Sequence, residues 1–213
     1  MKPSLAIVDY GMGNLRSVQK ALQASGAHAL VTTSPTVIQN ADAVVLPGVG
    51  AFGEAVRRLH KGKLWNAVER ALARNKPFLG ICLGLQLLFD RSEESRGVRG
   101  FGFLRGSVVR FRPLKRQPMK VPHMGWNRVH RDVKNKSPWT SSLAKDPYFY
   151  FVHSYYPAPS EADVVAATSS YGVEFCAAAA GPTWFASQFH PEKSGIQGLR
   201  LLRNFVKRVD RLA

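Results

Sequence analysis

Three residues in this sequence have the types and spacing for nucleophilic chemistry. Cys82 stands in Gly80-Ile81-Cys82-Leu83-Gly84, a G-x-nucleophile-x-G pattern with a thiol at its centre. His190 and Glu192 stand far downstream in Gln188-Phe189-His190-Pro191-Glu192, with one residue between them. A cysteine nucleophile needs a base, and the base needs a third group to fix its tautomer and ring orientation. Taken alone, a cysteine between glycines also reads as a small core residue. Taken together, the two stretches supply nucleophile, base and orienting carboxylate.

Those side chains must be positioned by the elements around them. Pro77 follows a basic, helix-like segment, and the apolar residues after it are too few for a buried helix, so they read as a strand. Leu85, Leu87, Leu88 and Phe89 then supply the apolar face of a helix. A strand that turns at once into a helix strains the residue between them, and flanking glycines let the backbones pass closely. The thiol at such a turn faces a helix N-terminus, whose unpaired N–H groups favour the thiolate.

The same alternation runs through the first half of the chain. Residues 5–10 read as a buried strand, Gly11–Asn14 as a turn, and Asn14 as the cap of a helix reaching about Ser25. The turn lacks G-x-G-x-x-G, which excludes a dinucleotide site of that kind. Residues 28–33 and 43–46 form the next strands. The latter ends at Pro47-Gly48-Val49-Gly50, either a tight turn or a backbone turned toward a ligand as an oxyanion hole. Amphipathic segments at 52–60 and 64–74 lead into the cysteine strand. The pattern predicts an α/β fold: an open, mostly parallel sheet covered by helices on both faces, with its site at the carboxyl ends of the strands. After Asp90 the character changes to a polar loop at 91–100, a strand at 103–111 and a basic loop at 112–120. Residues 121–127 read as an aromatic, proline-bearing and partly exposed stretch, with a turn around Trp126 from its flanking Gly125 and Asn127, and 148–156 as one strand. Further strands at 164–168, 175–179 and 184–188 predict added antiparallel hairpins. A final helix from near Gly195 carries Leu199, Leu202 and Val206 on one face, with Phe205 at its edge.

Composition narrows the classes further. The 213 residues, 45% of them hydrophobic, suit one domain spanning 1–213. No early apolar run is long enough for a membrane span and Asp9 interrupts the N-terminal candidate, so neither signal peptide nor anchor is expected. Two cysteines, Cys82 and Cys176, make no disulfide framework, and a reducing, cytoplasmic setting follows. Cys176, in a small apolar strand, reads as core. Thirty Lys and Arg against 14 Asp and Glu give a net charge of +16. That balance suits nucleic acid, an acidic partner or a solvated surface. No zinc-finger spacing, RNA-binding signature or basic-aromatic run is present, so no specific nucleic-acid binding is expected.

These motifs resemble the class I (triad) glutamine amidotransferases. Within that class, Pro122-His123-Met124-Gly125-Trp126-Asn127, Tyr150-Phe151-Val152-His153-Ser154-Tyr155 and His190-Pro191-Glu192-Lys193-Ser194-Gly195 resemble the glutaminase subunits of imidazole glycerol phosphate synthases. The resemblance implies that Cys82 attacks the side-chain amide of glutamine, with His190 as base and Glu192 holding the imidazole. It implies an oxyanion hole from Leu83 and the turn of Gly48, Val49 and Gly50, with Val49 the main donor there. Gln86 and the backbone of His153, Ser154 and Tyr155 would hold the substrate's amino-acid end. Asn14, Trp126, Tyr150 and His123 would face a (β/α)₈ cyclase subunit in a heterodimer, which takes the ammonia to make imidazole glycerol phosphate for histidine biosynthesis. No metal and no organic cofactor is called for. Three other readings stay open: a glutaminase of the anthranilate or aminodeoxychorismate type, a stand-alone cysteine hydrolase, and a catalytically idle binding protein suggested by the charge. The 122–127 and 150–155 stretches weigh against the first two, and the intact Cys82, His190 and Glu192 against the last.

Overall fold

Near-continuous apolar runs build the centre of the molecule. The computed structural model describes residues 2–113, 119–131, 137–141 and 143–212. Its first half alternates β1 (Ser4–Val8), α1 (Leu15–Ala24), β2 (His28–Thr32), α2 (Pro35–Asn40), β3 (Ala43–Gly48), α3 (Phe52–Lys61), α4 (Trp65–Ala73), β4 (Phe78–Cys82) and the short α5 (Leu83–Gln86). Strands follow: β5 (Phe89–Ser92), β6 (Leu104–Arg110), β7 (His123–Arg128), β8 (His130–Arg131), β9 (Tyr148–His153), β10 (Tyr155–Pro159), β11 (Val165–Tyr171), β12 (Val173–Ala180) and β13 (Trp184–Ser187). A 3₁₀ turn (Pro191–Lys193) and α6 (Gly195–Leu212) close the chain.

The main sheet has the order β2-β1-β3-β4-β13-β12-β11-β8. Pairing is parallel from β2 to β13 and antiparallel from β13 to β8. The predicted architecture is therefore present: a parallel core with antiparallel strands added from the C-terminal half. Alternate residues of the central strands feed two hydrophobic cores, one on each face. Leu5, Ile7, Val45 and Leu79 pack with Val18 and Leu22 of α1 and Leu201 and Phe205 of α6. Ala6, Val8, Val44, Leu46 and Phe78 pack with Ile38 of α2, Phe52 and Leu59 of α3, and Val68 and Leu72 of α4. Burial on both faces is why these strands read as unbroken apolar runs. Two smaller sheets, β10-β6-β5 and the ribbon β7-β9, stand apart from the main one.

Four expectations are corrected. The helix after Cys82 is a single turn, because Leu87 and Leu88 leave it and Phe89 enters β5, which pairs with β6. Residues 148–156 are two strands in different sheets, split at Ser154. Residues 122–127 are mostly strand rather than turn, with β7 paired to β9 from His123–His153 to Arg128–Tyr148. Phe205 is fully buried while Leu199 lies at the margin of the core, so the apolar face of α6 is centred one residue further round than periodicity alone placed it. Within the expected basic loop at 112–120, residues 114–118 lie outside the described residues.

The elbow depends on two close approaches. A Cβ at Gly84 would lie 1.8 Å from the Leu46 carbonyl oxygen, and one at Gly80 would lie 3.0 Å from the Ala186 Cβ and from the Gly84 backbone. The first is a collision with backbone, so Gly84→Ala should destabilise the protein by about 3 kcal/mol or more. Urea unfolding monitored by circular dichroism checks this. A variant as stable as the parent would show that the contact between β3 and α5 is not tight.

Candidate active site

Cys82 ends β4 with φ +54° and ψ −103°, a region that a residue with a side chain adopts at a cost of about 1–3 kcal/mol. The strain turns its thiol away from the strand line and places it beside Leu83, whose N–H opens α5 and has no acceptor within the helix. Val49, Gly50, Ala51, Cys82, Leu83, Gln86, Glu94, Pro122, Val152, His153, Ser154 and Tyr155 line a cleft of about 410 Å³. The strand ends of β3 and β4 thus meet where an α/β sheet is expected to hold its ligand.

The Pro47–Gly50 segment is held from behind. Tyr10 donates its hydroxyl to the Pro47 carbonyl at 2.9 Å, and any Cβ on Gly48 would lie 2.1 Å from that hydroxyl oxygen. Gly50 has φ +90°, which suits glycine. Tyr10 was not singled out in the sequence, since it looked like the last residue of an apolar strand.

His190 and Glu192 sit at the 3₁₀ turn that follows β13. His190 Nδ1 lies 2.8 Å from Glu192 Oε1, and both side chains are almost fully buried. Burial pulls the His190 pKa down; hydrogen bonding to Cys82 and Glu192, together with their charges, overcomes this and raises it to about 10. The ring nitrogen left free by Glu192 is Nε2, which makes no hydrogen bond of standard geometry, although the thiol is near enough to act on it. In sites of this kind such contacts are often long until a ligand binds. The turn itself is anchored: His190 donates its N–H to Tyr150 O (2.9 Å), Ser194 donates to His190 O (2.6 Å), and Tyr150 donates its N–H to Ser194 Oγ (3.0 Å).

Sequence reading missed Gln188 and Glu94. Gln188, fully buried, directs Nε2 at Cys82 Sγ (3.5 Å) and accepts at Oε1 from Gln86 Nε2 (3.0 Å). Gln86 also donates to Tyr155 O at 2.9 Å, so its amide nitrogen is engaged within the protein. Glu94 accepts from Phe52 N–H (2.7 Å) at the start of α3 and is the one acidic side chain among the described residues lining the cleft. Its signal was weak because it lies in a polar loop without a motif.

The residues expected at a partner face separate into two groups. Trp126 is 56% exposed, next to Met124 at 62% and Tyr148 at 50%. Tyr150 is half-buried, with Lys193 Nζ 5.8 Å from its ring centroid, and Asn14 is exposed while capping α1 through Ser17 N–H. His123 is a correction: at 3% exposure it points inward and forms no part of that face. Its position on β7 decides this, since odd-numbered residues of the ribbon face the core. Burial lowers His123 to about 4 and His153 to about 3, so both rings are neutral at ordinary pH. Cys176 is buried, and burial pushes its thiol up to about 12. Among the described residues no cluster of metal-ligating side chains occurs, and no helix is long and apolar enough to cross a membrane.

A family model for "Glutamine amidotransferase class-I" matches residues 6–209, and the chain belongs to that family. Solved structures agree on the fold at low identity. PurLQS from Thermotoga maritima superposes with a TM-score of 0.72 at 17% identity, covering 100% of this chain and 99% of that one. A glutamine amidotransferase from the same organism gives 0.68 at 17%, covering 98% of each chain. Closer in sequence are proteins named "Imidazole glycerol phosphate synthase subunit HisH". The one from Methylococcus capsulatus is 50% identical over 210 residues, 96% of each chain. That from Methanothermobacter thermautotrophicus is 50% identical over 203 residues, 95% of this chain and 98% of its own. Within the class, this chain falls in the HisH family.

The raised His190 pKa depends on its hydrogen bonds to Cys82 and Glu192 and on their charges, which gives a direct check. In Cys82→Ala the sulfur's contribution is lost while burial remains, so the His190 ring should titrate well below about 10. Ring NMR signals followed from neutral to alkaline pH measure the midpoint. An unchanged midpoint would mean that the ring does not sense the thiol.

Proposed function

We propose that this chain is the glutaminase of a two-subunit synthase: it hydrolyses glutamine and passes the ammonia to a (β/α)₈ cyclase subunit that makes imidazole glycerol phosphate for histidine biosynthesis. The observation that carries the reading is the strained Cys82 at the cleft with the buried His190–Glu192 pair behind it. A sulfur facing a protonated imidazole is a nucleophile with its acid already in place. Cys82 attacks the carboxamide carbon of glutamine, and the oxygen becomes an oxyanion between the Leu83 and Val49 N–H groups. His190 protonates the departing nitrogen, ammonia leaves, and a γ-glutamyl thioester remains. Water then attacks the thioester with His190 as base, and glutamate is released. Each oxyanion donor is worth about 3 kcal/mol at this step. Glu94 suits the ammonium of the substrate's amino-acid end, with the backbone of Ser154 and Tyr155 beside it.

No resident metal or organic cofactor enters this scheme. The exposed Met124, Trp126 and Tyr148 support a docking face for the cyclase on the outer side of the ribbon. A heterodimer acting as one cytoplasmic domain pair without membrane or specific nucleic-acid contact fits this. The basic charge suits a solvated surface: Arg91, Arg99, Arg105 and Arg112 expose 75–84% of their side chains even while near carboxylates. The anthranilate-type and stand-alone hydrolase readings have no comparable support.

Cys82→Ala should abolish glutamate release while leaving ammonium-driven cyclisation intact in the assembled complex. Glutaminase activity persisting in that variant would remove Cys82 from the mechanism. The Pro47–Gly50 turn, with its glycines, can present or withdraw the Val49 N–H at small steric cost. The isolated chain should accordingly turn over glutamine slowly and be strongly stimulated, mainly in kcat, by cyclase plus nucleotide. Assays of glutamate release with and without both components check this, and full activity from the chain alone would count against the switch.

A further inference from the structure

A run of hydrogen bonds begins at Asn127, on the strand that carries Trp126, and ends at the sulfur of Cys82. As far as the Tyr155 carbonyl, its direction can be worked out from each end independently. Asn127 accepts the Arg128 N–H at Oδ1 (2.8 Å) and donates from Nδ2 to Ser170 O (2.9 Å), which fixes the amide's orientation. The same Nδ2 lies 3.2 Å from His123 Nε2. An amide nitrogen only donates, so His123 Nε2 accepts, and the proton of this neutral ring is on Nδ1. His123 Nδ1 is 2.9 Å from His153 Nε2, which therefore accepts, leaving the His153 proton on Nδ1. His153 Nδ1 is 2.9 Å from Tyr155 O. A carbonyl only accepts, so reading back from Tyr155 gives the same order.

The order from Asn127 ends at Tyr155, whose carbonyl accepts from both sides. The second donor is Gln86 Nε2, and the other hydrogen of that nitrogen goes to Gln188 Oε1. This leaves Gln188 with its Nε2 toward Cys82 Sγ. Reversing either amide would set two donors or two acceptors against each other. In a buried site such a mismatch is costly, so each ring and amide is held in one orientation, with the two runs meeting at the Tyr155 carbonyl. Burial of both imidazoles keeps them neutral, which the order requires.

We infer that Asn127, His123 and His153 are positioning residues for the glutaminase reaction: a proton-ordered chain that fixes the Tyr155 carbonyl and, through Gln86 and Gln188, the donor facing Cys82 Sγ. The inference rests on the glutaminase reading above. It differs from a packing role, because what matters is which ring nitrogen bears each proton.

The full chain, labelled with ¹⁵N at histidine, tests this by NMR. In the wild type, His123 and His153 should both show the Nδ1–H tautomer. An Nε2–H tautomer in either ring overturns the inference without need of a variant. Asn127→Asp replaces a donor by an acceptor of the same shape, so His123 must place a proton on Nε2 and the order breaks. Its ring signals should change accordingly, and kcat for glutamate release at saturating cyclase and nucleotide should fall ~10-fold with KM little altered, the effect of one misdirected buried hydrogen bond. Wild-type ring signals and kcat in Asn127→Asp would overturn the inference. Should that variant not fold, Gln188→Met probes the other end: a comparable loss of kcat supports the chain, and unchanged kcat contradicts it. A wild-type chain that releases no glutamate with its cyclase sinks the functional reading itself; normal release with the wrong tautomers sinks only the inference.

Discussion

The structure depends on how closely α5 can approach β3. Where a Cβ on Gly84 would meet the Leu46 carbonyl oxygen at 1.8 Å, the bare glycine lets the helix start immediately after the strand. That immediacy forces Cys82 into positive φ and stands its thiol in the open cleft. Two apolar cores clamp β3 and β4 from both faces and sustain the strain. The reactive geometry is thus a by-product of packing: relax the contact and the cysteine returns to an ordinary strand conformation.

His190, the proposed base, rests on a different support. His190 follows β13, the parallel neighbour of β4, so the main sheet brings it to the cysteine. Its backbone is also tied to β9 through Tyr150 and Ser194. Cys82 belongs to the main sheet and meets the ribbon only through its sulfur, 4.0 Å from the Val152 carbonyl oxygen, whereas the His190 backbone is tied to both. Glu192 is set by the local 3₁₀ turn, which brings a residue two positions away into contact with the ring.

Much of this was legible in the sequence because the rules involved are local. Glycine spacing announced the elbow, alternating apolar runs announced the parallel sheet, and a histidine two residues from a glutamate announced the pair. What escaped depended on contacts between distant segments. Helical periodicity extended α5 through Leu87 and Leu88, since nothing nearby in the chain says that Phe89 will pair with β6. Gln188 looked like motif filler until the fold brought it to Cys82. His123 read as the polar end of an aromatic segment facing a partner, yet it is buried. The strict alternation of the ribbon was present in both segments, yet it became readable only once β7 and β9 were known to be strands. Tyr10 and Glu94 carried no local mark, as their partners are tens of residues away.

That alternation has a consequence for how such a protein can change. On β7 and β9 the odd positions, His123, Asn127, Phe149, Phe151 and His153, turn toward core and chemistry, and the even positions Met124, Trp126, Arg128 and Tyr148 turn toward solvent. The two sets of side chains occupy one pair of strands without sharing a surface. Outward residues can be exchanged for others of different shape or charge while the inward register is preserved. A glutaminase built this way can be re-addressed to a new companion by rewriting Met124, Trp126, Arg128 and Tyr148, with the inward-facing register left untouched.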